Sequence, residues 1–378
     1  MVTSTDVISC TVTGARVLTS TVKRERASFF LQPMIRDDDI RNKLKEIDDH
    51  IRREYIESHP EKERDWRTYE QLFSKRIREA MKSLDPLIRE AASTIRIESR
   101  TGRPDSLTLE QKVKLLLVKQ LVGESNRMFA NMLDIFSMLS VIEVSYKTVE
   151  RLYSDEEVMM ALYNLHVLLL KKRGVERSDA SGDGTGYSLT ISKHYQSIAQ
   201  ELKDRVKEEH GLSSTTTSGE QPKKRAFAYT FRLMDLSTKM YLAFGSSLRS
   251  EREAYDRAMR MLSRIDVTLD TVRLDRYSSS SSCVDSFGDA KVFVIPKSNA
   301  TLNDSWKWKW KWKDTMKEFV TNTVSYLEQY YRRSNSESGF SADKKMLGWS
   351  IAQRREDRID CALACTGLWH NMFNLATL

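Results

Sequence analysis

The stretch AFAYTFRLMDLSTKMYLAF, residues 226–244, decides the class of fold. It contains two runs rich in β-branched and aromatic residues, 226–235 and 239–244, with turn-forming residues between them, which predicts two strands joined by a short connection. Upstream, GTGYSLTI at 184–191 reads as a strand of the same kind. Downstream, Ser250 and Glu253 have the spacing of a capping box that opens a helix through Tyr255, Met259 and Leu262. TLDTVRLD (268–275) and KVFVIP (291–296) follow as two further strands. The order strand, strand, strand, helix, strand, strand fits an early antiparallel set and a helical crossover to a parallel neighbour, so the expected fold is α/β with a mixed sheet and helices on its faces. A long helix is expected over 314–333, and SSTTTSGEQPKKR (213–225) reads as an exposed insertion with a mobile tip.

Before Gly174 the periodicity is helical throughout. Residues 1–36 are rich in Ser, Thr and Val without a period and read as a flexible N-terminus; 37–104 read as a charged helical arm punctuated by Leu44, Ile47, Ile51 and Tyr55. TGRPDS (101–106) marks a boundary near 105, and Thr108 with Gln111 forms a capping box just after it. From 105 to 173 the apolar residues recur at three and four, through Leu115, Val118 and Val122, then Met128, Met132 and Ile135. Ser154 and Glu157 suggest another capping box, opening a helix that ends at Lys171, Lys172, Arg173 and Gly174. Within this all-α region, 125–153 resembles a helix-turn-helix, with Ser145 as a cap and Lys147, Thr148 and Arg151 exposed on a short second helix able to enter a major groove. A plain helical bundle is the alternative. The sheet-bearing region runs from 174 to 378.

The 378 residues are 40% hydrophobic and 30% charged, which describes a globular chain long enough for two or three domains. The longest apolar stretches, LLLV at 115–118 and LHVLLL at 165–170, fall far short of the roughly 18 residues of a helical membrane span. An excess of basic residues, 61 Lys and Arg against 53 Asp and Glu, gives a net charge of +8 and favours a polyanionic partner, nucleic acid first. The four cysteines, Cys10, Cys283, Cys361 and Cys365, make no disulfide framework, and the first residues lack a signal pattern. Both point to a reducing, cytoplasmic setting.

Three acidic residues stand where such a sheet would gather them: Asp183 on the first strand, Asp275 at the end of the fourth, and Glu337 beyond the long helix. Taken alone, Asp183 in SGDGTGY fits an Asp-Gly turn, although its glycines also permit the close approach of a ligand. Asp275 alone is an ordinary strand-end carboxylate. Arg333 and Lys344 alone are surface ion-pairing residues, worth little in stability.

The segment YYRRSNSESGFSADKK (330–345) changes this balance. Tyr330, Arg333, Glu337 and Lys344 are separated by two, three and six residues. That spacing resembles the Tyr, Arg, Glu, Lys signature of the insertion-sequence DDE transposases of bacteria and archaea. DGTGY (183–187) resembles the surroundings of that family's first Asp, and RLDRYSSSS with VFVIPKSNAT those of its second; the similarity spans 175–378 and, more weakly, 105–170.

The resemblance implies a ribonuclease H-like catalytic domain over 174–378, preceded by a helical DNA-binding domain over 105–173. It implies that Asp183, Asp275 and Glu337 hold two divalent ions, Mg²⁺ or Mn²⁺, with Asp183 shared between them. Hydrolysis would free a 3′-hydroxyl at the element end, and that hydroxyl would attack target DNA. Arg333 and Lys344 would contact the phosphates of the terminal strand and Tyr330 would help to position it. The implied partners are the double-stranded DNA of the terminal inverted repeats and of the target, with a homodimer bringing two ends together. A DNA-binding regulator with an unused metal site and a structure-specific nuclease are the alternative functions.

Two further motifs lie outside that signature. WKWKWKWK (306–313) alternates strictly, so in a strand its indoles would share one face, either as a packed edge or as a platform for unstacked bases with Lys tracking phosphate. Cys361, Cys365 and His370 invite a zinc reading, but they lack a second ligand pair at the usual spacing. His194 is read as a polar structural residue.

Overall fold

The computed structural model describes residues 35–47, 66–95, 107–133 apart from 125 and 131, 144–190, 227–302 and 310–375. The expected insertion at 213–225, His194, the TGRPDS boundary, residues 1–34 and Trp306 to Lys309 lie outside the described residues.

Five strands form the main sheet: β1 (Arg177–Leu189), β2 (Phe227–Asp235), β3 (Tyr241–Ser247), β4 (Thr268–Leu274) and β5 (Lys291–Val294), in the order β3-β2-β1-β4-β5. β1 is antiparallel to β2, β2 is antiparallel to β3, and β1, β4 and β5 run parallel. A two-residue strand, β6 (Ser350–Ile351), unforeseen in the sequence, pairs with the far end of β1 at Ser188 and Leu189.

β1 begins at Arg177, so the SGDG run lies inside a strand and the Asp-Gly turn reading is incorrect. Ser181 and Gly182 pair with both β2 and β4, and Asp183 and Gly184 with β2, and this pairing overrides the turn preference of Gly and Asp. The β2–β3 connection is turned by Asp235, whose Oδ2 accepts from Ser237 Oγ at 2.6 Å and Thr238 N at 2.6 Å, with Lys239 at φ +63.

Helix α1 spans Asp37–Glu46, α2 Trp66–Ala92, α3 Leu109–Val122, α4 Tyr146–Leu152 and α5 Glu156–Arg173. The Thr108 and Gln111 box forms as expected, each side chain bonding the other's backbone N–H. At α5 the cap is Asp155, not Ser154: Asp155 Oδ1 accepts from Glu157 N at 3.1 Å and Val158 N at 3.3 Å. Gly174, at φ +72, ends that helix in the left-handed conformation.

Ser250 caps the crossover helix α6 (Glu251–Leu262), which packs on β3 and β2. The approach requires Gly245, because a Cβ there would stand 2.2 Å from Ala254 O and 2.4 Å from Ala258 N. A short helix, α7 (Ser281–Asp285), precedes β5.

The expected single helix over 314–333 is two, α8 (Trp310–Thr321) and α9 (Thr323–Tyr331), parted at Asn322, whose φ −123 and ψ 44 are non-helical. The described half of the Trp-Lys repeat is helical rather than a strand. In α8, residues two apart lie about 200° apart around the axis, so Trp312 is 4% exposed and Trp310 81% exposed. α10 (Ser334–Leu347) and α11 (Glu356–Leu375) complete the chain. α11 joins the two halves: it contacts α2, α3, α5 and β3, and its buried Trp369 donates Nε1 to Leu117 O at 2.8 Å. One apolar cluster runs from Ile40 to Phe373. Among the described residues no helix is long and apolar enough to cross a membrane.

Candidate active site

The parallel register of β1 and β4 sets Gly182 beside Leu274. Asp183 and Asp275, the next residues, therefore emerge side by side where β4 stops. Asp183 stays in the strand and accepts from Gly184 N at 2.9 Å, while Asp275 turns away to cap a 3₁₀ turn through Tyr277 N at 3.4 Å. Glu337 lies in the first turn of α10, and that helix is fixed to β1 by Ser336 Oγ, 3.2 Å from Ser181 Oγ.

One guanidinium joins the three acids. Arg333 Nη1 meets Asp183 Oδ2 at 3.1 Å, while Nη2 meets Glu337 Oε1 at 2.5 Å and Asp275 Oδ1 at 3.8 Å. The expectation of a surface ion pair at Arg333 is therefore incorrect. Its side chain is 16% exposed, and Asp183 is 14% exposed. Burial pushes the Asp183 carboxyl up to about 6, against the pull of Arg333 and Gly184 N–H, with further upward pressure from Asp275 and Glu337. Burial works against the Arg333 charge, but Asp183, Tyr330, Glu337 and Asp275 together hold it above its ordinary value. Tyr330 is buried, its ring centroid 6.0 Å from the guanidinium carbon.

Lys344 lies further along α10 and donates to Thr185 Oγ1 at 2.7 Å, two residues from Asp183 on β1. Burial lowers its pKa, and repulsion from Arg232 adds to this. The signature thus gathers around the two aspartates, with Tyr330 behind Arg333 and Lys344 beside Thr185.

The motif reading missed two groups. Glu251, at the start of α6, lies over β1 so closely that a Cβ on Gly184 would meet its Oε1 at 1.9 Å. Burial raises its pKa and so does the nearby Asp275, making it a fourth carboxylate beside the three acids. Its sequence signal was Gly184, a glycine inside a strand, which marks a close approach. The second group is a buried polar network behind α10. Asp343 Oδ2 bonds Arg232 and Tyr241 OH, and Asp343 Oδ1 bonds His370 Nδ1 at 2.6 Å. Arg232 stands opposite Asp183 in the β1–β2 register. No local motif announces this group, because its members come from β2, β3, α10 and α11. His370 also bonds Lys239 O at 2.7 Å, which turns it away from zinc chemistry with Cys361 and Cys365.

Lys147 and Arg151 lie elsewhere, on α4, where Ser145 Oγ caps the helix by accepting from Thr148 N at 3.2 Å. Four residues apart, they share a helix face. Tyr146 beside them has Arg127 at 5.1 Å and Lys147 at 5.4 Å from its ring centroid. Arg358 bonds Glu150 and Ser154 and so fixes α4 to α11. The expected first helix of the pair falls partly outside the described residues.

Over 334 residues, 87% of this chain and 92% of the relative, the chain is 41% identical to a probable transposase for insertion sequence element ISA1214 of Archaeoglobus fulgidus. The chain belongs to the insertion-sequence transposases. No family profile and no solved structure matches it.

The donor set of this transposase suits a divalent cation in kind, being hard carboxylate oxygens around a shared positive charge. Arg333 supplies the positive charge among them. With the guanidinium between the acids, no three His, Cys, Asp or Glu side chains among the described residues are set closely enough to hold an ion.

Proposed function

We propose that this transposase is a DDE enzyme that binds the terminal inverted repeats of its element, cleaves DNA to expose 3′-hydroxyl ends and joins them to target DNA. The observation that carries this reading is the convergence of Asp183, Asp275 and Glu337 on Arg333 where β4 leaves β1. The β3-β2-β1-β4-β5 sheet, with its crossover helix, supports a ribonuclease H-like core around them.

Asp183, Asp275 and Glu337 would hold two Mg²⁺ or Mn²⁺ ions. When bound, the ions supply Lewis-acid stabilisation of the entering and leaving oxygens of a phosphoryl displacement. The chain's own cations do the positioning. Arg333 and Lys344 flank the carboxylates and contact phosphates of the terminal strand, which fixes its register without reading bases. Tyr330 backs the Arg333 guanidinium and limits the directions in which it can point. Lys147 and Arg151, on the exposed face of α4, contact DNA at a distance from the reacting phosphate, as in a helix-turn-helix. Two ends are brought together by two copies of the chain.

The test uses purified protein and DNA carrying the sequence that flanks its coding region, in Mg²⁺ or in EDTA, with wild type and Glu337→Ala, mapping products on both strands. Metal-dependent cutting at paired repeats, lost in the variant and followed by joining to a second duplex, is the expected result. Binding without cutting would overturn it in favour of a regulator, and cutting without joining in favour of a nuclease.

A further inference from the structure

The loops that leave β4 and β5 form a basic rim beside the acids. Leu274 and Val294 stand side by side in the parallel register, so the two strands stop together and their loops leave the same end of the sheet. Asp275 turns the first loop by accepting from Tyr277 N, and Ser279 Oγ of that loop accepts from Lys297 N of the second at 3.3 Å. Each loop therefore holds the other, and both are tied to the second acid. Arg276 is exposed, and Lys297 Nζ lies 5.1 Å from the Tyr277 ring centroid. Among the described residues no carboxylate pairs with either cation. The Tyr277 ring, itself 58% exposed, backs Lys297 as Tyr330 backs Arg333 and leaves it open to a ligand. Lys344 stands on the other flank: its partner Thr185 lies beyond the end of β4 and pairs with β2.

Joining brings two DNA strands to the acids at once. The element's 3′-oxygen bonds to the target phosphorus while the target's own 3′-oxygen departs from the opposite side, as an in-line displacement requires. With the terminal strand held by Arg333 and Lys344, and α6 bringing Glu251 over Gly184, the side left for the target is the flank of β4 and β5. Resting on the transposase reading above, we propose that Arg276 and Lys297 hold the phosphate backbone of target DNA on this flank, across the acids from Lys344. Contacts to phosphate carry no sequence information, so this surface takes duplex of any sequence.

The test is the joining of a pre-cut duplex end, carrying the sequence that flanks the coding region, to supercoiled plasmid in Mg²⁺. Initial rates are followed against plasmid concentration, and affinity for the pre-cut end is measured separately in Ca²⁺. Arg276→Ala with Lys297→Ala is expected to raise the KM for plasmid by about 10-fold, the worth of two exposed charge contacts, with the loss in KM rather than kcat. The slope of log KM against log salt is expected to fall by about 2, one for each phosphate no longer neutralised. Arg276→Lys with Lys297→Arg is expected to restore most of the wild-type KM. Unchanged melting of the variants checks that the fold is intact. A plasmid KM and salt slope that stay at wild-type values, or an equal loss of affinity for the pre-cut end, overturns the target assignment and leaves the transposase reading standing. Wild type that binds the end and joins it to no plasmid overturns both.

Discussion

Asp183→Asn is expected to make the protein more stable while abolishing its chemistry. The native state retains the Asp183 proton up to about pH 6, whereas an ordinary aspartate releases it near 3.8. The Asp183 contribution to wild-type stability is therefore full below 3.8 and declines as pH rises through 6, since over that window the folded state holds this proton more than the unfolded chain does. The difference corresponds to about 3 kcal/mol at pH 7.5, net of the attraction from Arg333, and about half of it is already present at pH 5. Asparagine keeps the shape and has no charge to bury. Thermal melts in EDTA are expected to place the variant roughly 5 °C above wild type at pH 7.5, with a smaller gap at pH 5. His166, buried and pushed down to about 4, titrates in both proteins and cancels from the difference. A variant less stable than wild type at pH 7.5, or a gap that does not change with pH, would refute the assignment of Asp183 as a carboxylate held at a cost.

Four further outcomes follow from the same geometry. Millimolar Mg²⁺ is expected to raise the melting temperature of wild type but not of Asp183→Asn, as checked by differential scanning calorimetry, because ligand binding stabilises only a state with the donors in place. Gly245→Ala, whose methyl would meet α6 backbone, is expected to cost about 3 kcal/mol in denaturant unfolding; Gly184→Ala meets only the end of the Glu251 side chain and is expected to cost less. Asp343→Ala leaves Arg232 buried without its carboxylate and is expected to cost about 3–5 kcal/mol by the same assay. Lys147→Ala with Arg151→Ala is expected to weaken DNA binding evenly across sequences and to lower the slope of log affinity against log salt by about 1 for each phosphate that is no longer neutralised.

The strands, the crossover helix and its Ser250 cap were legible because they depend on local pattern: alternation, turn chemistry and the spacing of a cap. The order of antiparallel and parallel neighbours followed from the element order and the handedness of crossovers. The signature at 330–345 was legible because a helix and a short turn hold Arg333, Glu337 and Lys344 at fixed separations whatever surrounds them. Where local pattern is ambiguous, tertiary contacts decide the element. Strict alternation in WKWKWKWK fitted a strand, but its described half joins α8, where Trp312 enters the core and Trp310 faces water. SGDG fitted a turn, but β2 along its length and β4 beside Ser181 and Gly182 drew it into β1.

By itself, then, the sequence determined a mixed α/β sheet, and it pointed to three acids and to the cations placed near one of them. Only the tertiary structure decided that Arg333 touches all three acids, that Glu251 comes over Gly184 to face Asp275, and that Arg232, Asp343, Tyr241 and His370 form one buried network behind α10. The reason is range. Capping, turns and periodicity are set by neighbours a few residues away, whereas the burial of a charge depends on groups brought from more than a hundred residues off. Arg232 and Asp343 are 111 positions apart in the chain, and Arg333 and Asp183 are 150 apart. Their energies exist only once the sheet and α10 have met.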